Sequence, residues 1–301
     1  MRILITGATG LIGKEIVKIC HLQNIEVNYL TTRKSKIEHQ ENYKGFYWNP
    51  EIKELDKACF KGVGAIIHLA GASISKRWTP SYKKEIVSSR VESTKLLIDS
   101  LKGEIHTIKH VISGSAIGIY PDSLTSYYEE SYKGTNDSFL GDVVKKWEAS
   151  VDGFSKLNIK VSKIRTGLVL SKNGGALPEM LKPIKFGFGA AFGNGKHWQS
   201  WIHITDLSQM FLYVLKHKMY GVYNGVAPNP ETNQFLTKTI ANVLNKPLIL
   251  PNIPKFVMKT ILGDMHQLLF DSQRVSSKKI EDAGFVFEYH HLKPALVHLL
   301  K

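Results

Sequence analysis

Cysteine is scarce in this 301-residue chain: Cys20 and Cys59 stand far apart and outside any C-x-x-C spacing. That excludes a disulfide framework and a thiolate metal site, and it fits a reducing compartment. No apolar run approaches the ~18 residues a membrane span needs. The amino-terminal MRILITGATG enters a strand directly, without the charged and apolar regions of a signal peptide. The expectation is a soluble, cytoplasmic protein with no membrane partner. The 12 histidines never fall into H-E-x-x-H or a related spacing, so no metal site is expected. A net charge of +14 is spread over scattered Lys and Arg, never three in a row. A nucleic-acid partner is therefore not expected, and small anionic ligands suit a basic protein equally well.

What the chain does have is a rhythm. Arg2–Thr6 reads as an apolar strand, Leu11 to about Gln23 as a helix, and Glu26–Thr31 as a strand again. Ala65–Ala70 is a further buried strand, and Thr79-Pro80 starts a long helix over Ser81–Leu101. Strand His110–Ser113, helix Phe139–Leu157 and strand Lys160–Arg165 follow. Such alternation predicts βαβ units and a parallel sheet covered on both faces. Glycines then punctuate a loop-rich stretch before helix Asp206–His217, a strand near Val222–Val226, helix Asn233–Leu244 and a last strand at Phe285–Tyr289. The predicted fold class is α/β: a Rossmann-type doubly wound parallel sheet with a smaller carboxyl-terminal α/β domain on the substrate side. Residues 1–170 form the nucleotide-binding domain, which also has room for later strands. Residues 171–301 form the substrate-side region, with the small domain from about residue 247.

The sharpest local signal is Gly7-Ala8-Thr9-Gly10-Leu11-Ile12-Gly13. A strand ends at Thr6 and a helix opens by Leu11, so the glycines sit where a backbone must turn sharply and approach a diphosphate. An NAD site carries Asp or Glu roughly 20 residues further on, at the end of the second strand, to hold the ribose hydroxyls. Here that position reads Thr31-Thr32-Arg33-Lys34-Ser35-Lys36, three cations and no carboxylate. A guanidinium suits a 2′-phosphate, so the pattern points to NADP(H); a solvated basic turn is the alternative.

Several separated segments share one order: Lys76-Arg77-Trp78-Thr79, Ser89 to Thr94, Ser113-Gly114-Ser115-Ala116-Ile117-Gly118-Ile119-Tyr120, Lys146-Trp147-Glu148-Ala149, Arg165 to Leu170, Trp201-Ile202-His203-Ile204-Thr205-Asp206, Tyr223 to Pro230, and Ala283-Gly284-Phe285. With the glycine turn, they resemble the YfcH-like "epimerase family" proteins, an atypical branch of the extended short-chain dehydrogenase/reductase superfamily. The likeness spans essentially the whole chain. One departure is His68, which stands where that family commonly has Asn before Leu-Ala-Gly. The resemblance implies an NADP-binding Rossmann domain. Its cofactor contacts fall on the glycine turn (Gly7, Thr9, Gly10, Leu11, Ile12, Gly13) and on Thr32, Arg33, Leu69, Ala70, Glu85, Arg90 and Val169.

Superfamily catalysis pairs a Ser or Thr with Tyr-x-x-x-Lys, the tyrosine moving a proton while nicotinamide moves a hydride. Here only Tyr289 has a lysine four residues later, and it lies beyond the last strand. In the expected helix, alignment on Glu148 puts Leu140 and Val144 in place of the Tyr and Lys. Ser115, at a strand end, and Tyr120, in the following loop, are candidate substitutes; turn bonding and packing are their alternatives. Trp201, His203 and Asn224 are candidates for a substrate-side wall, and Asp206 for the cap of the helix that follows it. Two functions stay open: an NADP(H)-dependent oxidoreductase or epimerase on a small polar or sugar-like substrate, and an NADP(H)-binding regulator with little turnover. The partner expected is a small-molecule substrate, with the chain a monomer or homodimer.

Overall fold

The computed structural model describes all 301 residues. Its elements are β1 (Arg2–Thr6), α1 (Leu11–Leu22), β2 (Glu26–Thr31), β3 (Tyr43–Asn49), β4 (Val63–His68), α2 (Pro80–Leu101), β5 (His110–Ala116), α3 (Phe139–Asp152), β6 (Lys160–Thr166), β7 (Leu168–Leu170), α4 (Ala176–Lys185), β8 (Trp201–His203), α5 (Ile204–Lys216), β9 (Gly221–Gly225), α6 (Asn233–Val243), α7 (Lys255–Leu262), α8 (Gln267–Phe270), α9 (Lys278–Asp282) and α10 (Leu292–Leu300). Seven parallel strands form the central sheet in the order β9-β6-β5-β4-β1-β2-β3; short antiparallel pieces lie on β3.

Alternation along β1 explains the layering. Ile3 and Ile5 join a core with Ile16, Met210 and Phe211, beneath α1 and α5. Leu4 faces the other way, with Leu97, Val151 and Phe154, beneath α2, α3 and the segment after α3. Both faces are covered, which is why these strands read as continuous apolar runs. Register sets Thr6 beside His68, His68 beside Ser113 and Ser113 beside Lys163. The carboxyl ends of the strands therefore share one edge, where ligands bind in open α/β sheets.

Several expectations change. Strand β3 was not anticipated, because its sequence is half polar and it lies near the sheet margin. The long helix from Phe139 ends at Asp152 and tightens into a 3-10 turn, with Asn158 left-handed at φ 55°. The room left for later strands in the nucleotide-binding domain is used: β9 joins the sheet, and α5 packs on α1's side of it. Phe285–Tyr289 is not a strand. The N–H groups of Glu288 and Tyr289 donate instead to the Asp206 carboxylate, at 2.8 and 3.1 Å. Asp206 thus ties down the carboxyl-terminal segment, while His203 Nδ1 caps α5 by accepting from Thr205 N–H at 3.1 Å. A third apolar core, with Trp201, Leu236 and Leu296, joins β7, β8, α4, α6 and α10.

Candidate functional site

The glycine turn is a matter of space. Gly7 is left-handed (φ +72°), and a Cβ there would sit 3.1 Å from the Leu69 carbonyl. A Cβ on Gly13 would lie 2.2 Å from the Gly7 oxygen. Only glycine lets strand end, turn and helix close to this distance. Gly10 precedes α1 without a side-chain cap, and the first turn carries no acid. Its free N–H groups and positive dipole end are left for an anion. These residues fit the diphosphate of a dinucleotide. Leu69 and Ala70 form the facing wall, and Val169 packs beside the same core. Thr32 and Arg33 are exposed just past β2, and Arg33 is bonded only through its main chain. Glu85 is exposed on α2, with no contact that sets it apart.

Behind the turn runs a buried chain of hydrogen bonds with one permitted direction. Thr6 Oγ1 accepts the N–H of Leu69 and of Ala70, each at 3.0 Å. Its lone pairs are then used, so its proton goes to His68 Nδ1, 2.7 Å away. A neutral imidazole keeps its proton on Nε2, facing Thr94 Oγ1 at 3.0 Å, and Thr94 donates to the Arg90 carbonyl at 2.7 Å. Burial pushes His68 down to about 4, in keeping with a ring held neutral. The departure at His68 thus links the wall of the turn to the helix that carries Arg90. Arg90 Nη1 donates to Ala72 O and Ile86 O at 3.1 and 2.9 Å, and the guanidinium lies 5.0 Å over Trp147. Burial lowers it to about 10, still cationic at neutral pH.

Arg90 borders a cleft of about 210 Å³. Leu140 and Val144 line it where the superfamily's Tyr and Lys are expected, with Trp147 beside them and Trp198, Gln267, Asp271 and Gln273 from the carboxyl-terminal half. A second hollow of about 250 Å³, between His21 and Tyr43, lies at the amino ends of the strands, away from the glycine turn.

Ser115 and Tyr120 do not line this cleft. Ser115 Oγ donates to Glu148 Oε1 at 2.6 Å. Arg165 grips Glu148 with two bonds, at 2.8 and 3.0 Å, and donates to Tyr120 OH at 3.0 Å. Tyr120 OH donates to Asn224 Oδ1 at 2.8 Å, and Asn224 Nδ2 donates to Ser276 O at 3.0 Å. Burial raises Tyr120 above its ordinary value; Glu148 is desolvated too, yet Arg165 holds it below. Both hydroxyls are committed to a buried network that joins the sheet edge to the carboxyl-terminal segment.

Trp201, His203 and Asn224, the candidates for a substrate-side wall, are all fully buried. Trp201 Nε1 donates to Asn229 O at 2.8 Å, and the His203 ring stacks on Tyr289 at 4.0 Å. The cleft is lined instead by Trp198, Gln199 and Ser200, a few residues earlier in the chain, and by Gln267, Leu268, Asp271 and Gln273. Nothing in the spacing of the segment Gln267-Leu268-Leu269-Phe270-Asp271-Ser272-Gln273 marks it as a site. Only the fold brings it across the cleft.

Sheet order, glycine turn and strand-end wall define the class: an NAD(P)-binding Rossmann fold of the extended short-chain dehydrogenase/reductase type. Comparison with known proteins gives the family. Residues 3–138 match the NAD dependent epimerase/dehydratase family model, and residues 253–299 match a domain of unknown function, DUF1731. Epimerase family proteins of Staphylococcus aureus strain N315 and Staphylococcus haemolyticus are 36% and 34% identical, each covering 99% of this chain and 98% of the relative. The chain belongs to this epimerase family. A solved structure of human epimerase family protein SDR39U1 with NADPH superposes with a TM-score of 0.84 at 27% identity, over 99% of both chains. A nucleoside-diphosphate sugar epimerase from Corynebacterium glutamicum gives 0.79 at 28% identity, over 100% of this chain and 58% of that one.

Proposed function

We propose that the chain binds NADP(H) in preference to NAD(H), and that it is an oxidoreductase or epimerase acting on a small polar or sugar-like substrate. One observation carries the cofactor choice. Arg33, exposed two residues past β2, has a free guanidinium, and the turn holds no carboxylate for a 2′-hydroxyl. A planar guanidinium matches a phosphate with paired N–H donors. The human relative solved with NADPH supports the same reading. The dinucleotide, when bound, supplies hydride transfer. The chain supplies the glycine turn, the Leu69–Ala70 wall and Arg90 to hold it.

Fluorescence titration with NADPH and NADH tests this. NADPH is expected to bind at least about tenfold more tightly, equivalent to ~1.4 kcal/mol. Equal affinities would remove Arg33 from the account. A second reading, a dinucleotide-binding regulator without turnover, is favoured by Leu140 and Val144 and by the engaged hydroxyls of Ser115 and Tyr120. Tight NADPH binding with no oxidation against carbonyl and nucleotide-sugar panels would select it.

A further inference from the structure

The cleft lacks the tyrosine and lysine of its superfamily, yet it retains a group able to exchange a proton. Of its 19 lining residues, only Arg90 and Asp271 titrate. Arg90 stays a cation at neutral pH and is bonded to two carbonyls. Ser115 and Tyr120 are turned into the network around Glu148. That leaves Asp271. It caps α8, its N–H donating to Gln267 O at 2.9 Å, and its carboxyl accepts no hydrogen bond. The carboxyl is half-buried and unbonded, so it is available to a ligand that enters the cleft.

We propose that Asp271 is the residue that exchanges a proton with the substrate in this cleft, and that the substrate is a secondary alcohol or its ketone with an apolar flank. This rests on the oxidoreductase reading above and narrows it. Ten of the 19 lining residues are hydrophobic, which suits an apolar flank beside the reacting carbon. In the oxidative direction the Asp271 carboxylate takes the hydroxyl proton. The carbon's hydrogen leaves with its electron pair to the oxidised nicotinamide dinucleotide, a C=O bond forms, and the resulting carboxylic acid releases its proton to water. Reduction reverses each transfer.

The surroundings of Asp271 suit the task. Burial pushes its carboxyl up to about 6, and Asp122, in the loop after Tyr120, adds to the rise. Lys255 at the start of α7 and His266 before α8 pull it back, and Arg90 stands in the same lining. A carboxyl titrating close to working pH both gives and takes a proton readily.

Asp271 can be tested before its substrate is known, because the nicotinamide ring is cationic in NADP⁺ and neutral in NADPH. A carboxyl facing that ring must titrate lower in the oxidised complex. The side-chain carbon of Asp271, assigned by its loss in Asp271→Asn, is followed by NMR across pH 4–8 in both complexes. The expected midpoint is at least about 0.3 pH unit lower with NADP⁺. Equal midpoints in two tight complexes overturn the proposal alone; failure to bind either dinucleotide overturns the cofactor reading as well. In a companion assay of NADPH-dependent reduction of small ketones that carry an apolar flank, Asp271→Asn is expected to lose at least about 100-fold in kcat. Its NADPH affinity should stay within about twofold, a change under ~0.5 kcal/mol. A variant that keeps the wild-type rate, or a wild type inert toward every such ketone, overturns it.

Discussion

At the glycine turn, seven consecutive residues and two strand ends create a binding surface out of backbone. At the cleft that Arg90 borders, one wall is assembled from residues 198–200, 267, 268, 271 and 273, held by side-chain bonds such as Ser200 to Gln273 O and Gln273 to Tyr120 O. The first surface tolerates almost no added volume. The second is constrained chiefly by polar bonding to the layer beneath it. A local motif therefore makes the candidate dinucleotide turn, whereas the cleft depends on long-range folding.

Four substitutions or conditions should break or sharpen that contrast. The largest effect is expected at Gly13→Ala. Its Cβ would overlap the Gly7 oxygen, so NADPH affinity should fall at least about 100-fold, ~2.7 kcal/mol. Calorimetry on folded variant would show it, and near-normal affinity would mean the turn is not the diphosphate site.

Acid should loosen the cradle next. His68 titrates near 4 when folded and at about 6.5 when unfolded, so the unfolded chain binds its proton first. Its contribution to stability is present above 6.5 and is lost as pH falls toward 4, by about 2–3 kcal/mol at pH 4.5. His110 and His203, which burial also pushes down to about 4, act in the same direction. Urea denaturation of wild type and His68→Asn at pH 7 and 4.5 measures the share. An equally steep acid loss in the variant would remove His68 from it.

Arg33→Ala follows, with NADPH binding reduced about tenfold and NADH binding unchanged. Parallel losses for both dinucleotides would show that the side chain steadies the turn without reading the phosphate. Smallest is Ser115→Ala. It leaves Arg165 on Glu148, so a stability loss of about 1 kcal/mol is expected, with NADPH affinity intact. A selective collapse of turnover in a stable Ser115→Ala would return that hydroxyl to the chemistry.

Legibility in the sequence followed the same divide. The glycine spacing, the apolar strands and Arg33 are local, and each could be read from a few neighbouring residues. Leu140 and Val144 were also legible, as absences. Asp206 misled because a carboxylate at a helix start usually caps that helix; here it reaches Glu288 and Tyr289, 82 and 83 residues away. Tyr120, Trp201, His203 and Asn224 carry polar atoms that suggest chemistry, but their partners lie in distant segments and bury them. Asp271 showed the reverse. The role we propose for it rests on an unbonded carboxyl in a cleft that only the fold assembles, which no spacing along the chain reveals.

A crystal structure of the chain grown with NADPH examines both surfaces at once. It should place the diphosphate on the amino end of α1, the 2′-phosphate within hydrogen-bonding distance of Arg33, and the nicotinamide ring in the cleft facing Asp271. A dinucleotide whose 2′-phosphate avoids Arg33, or whose ring lies outside the cleft lined by Leu140, Val144 and Asp271, would contradict it.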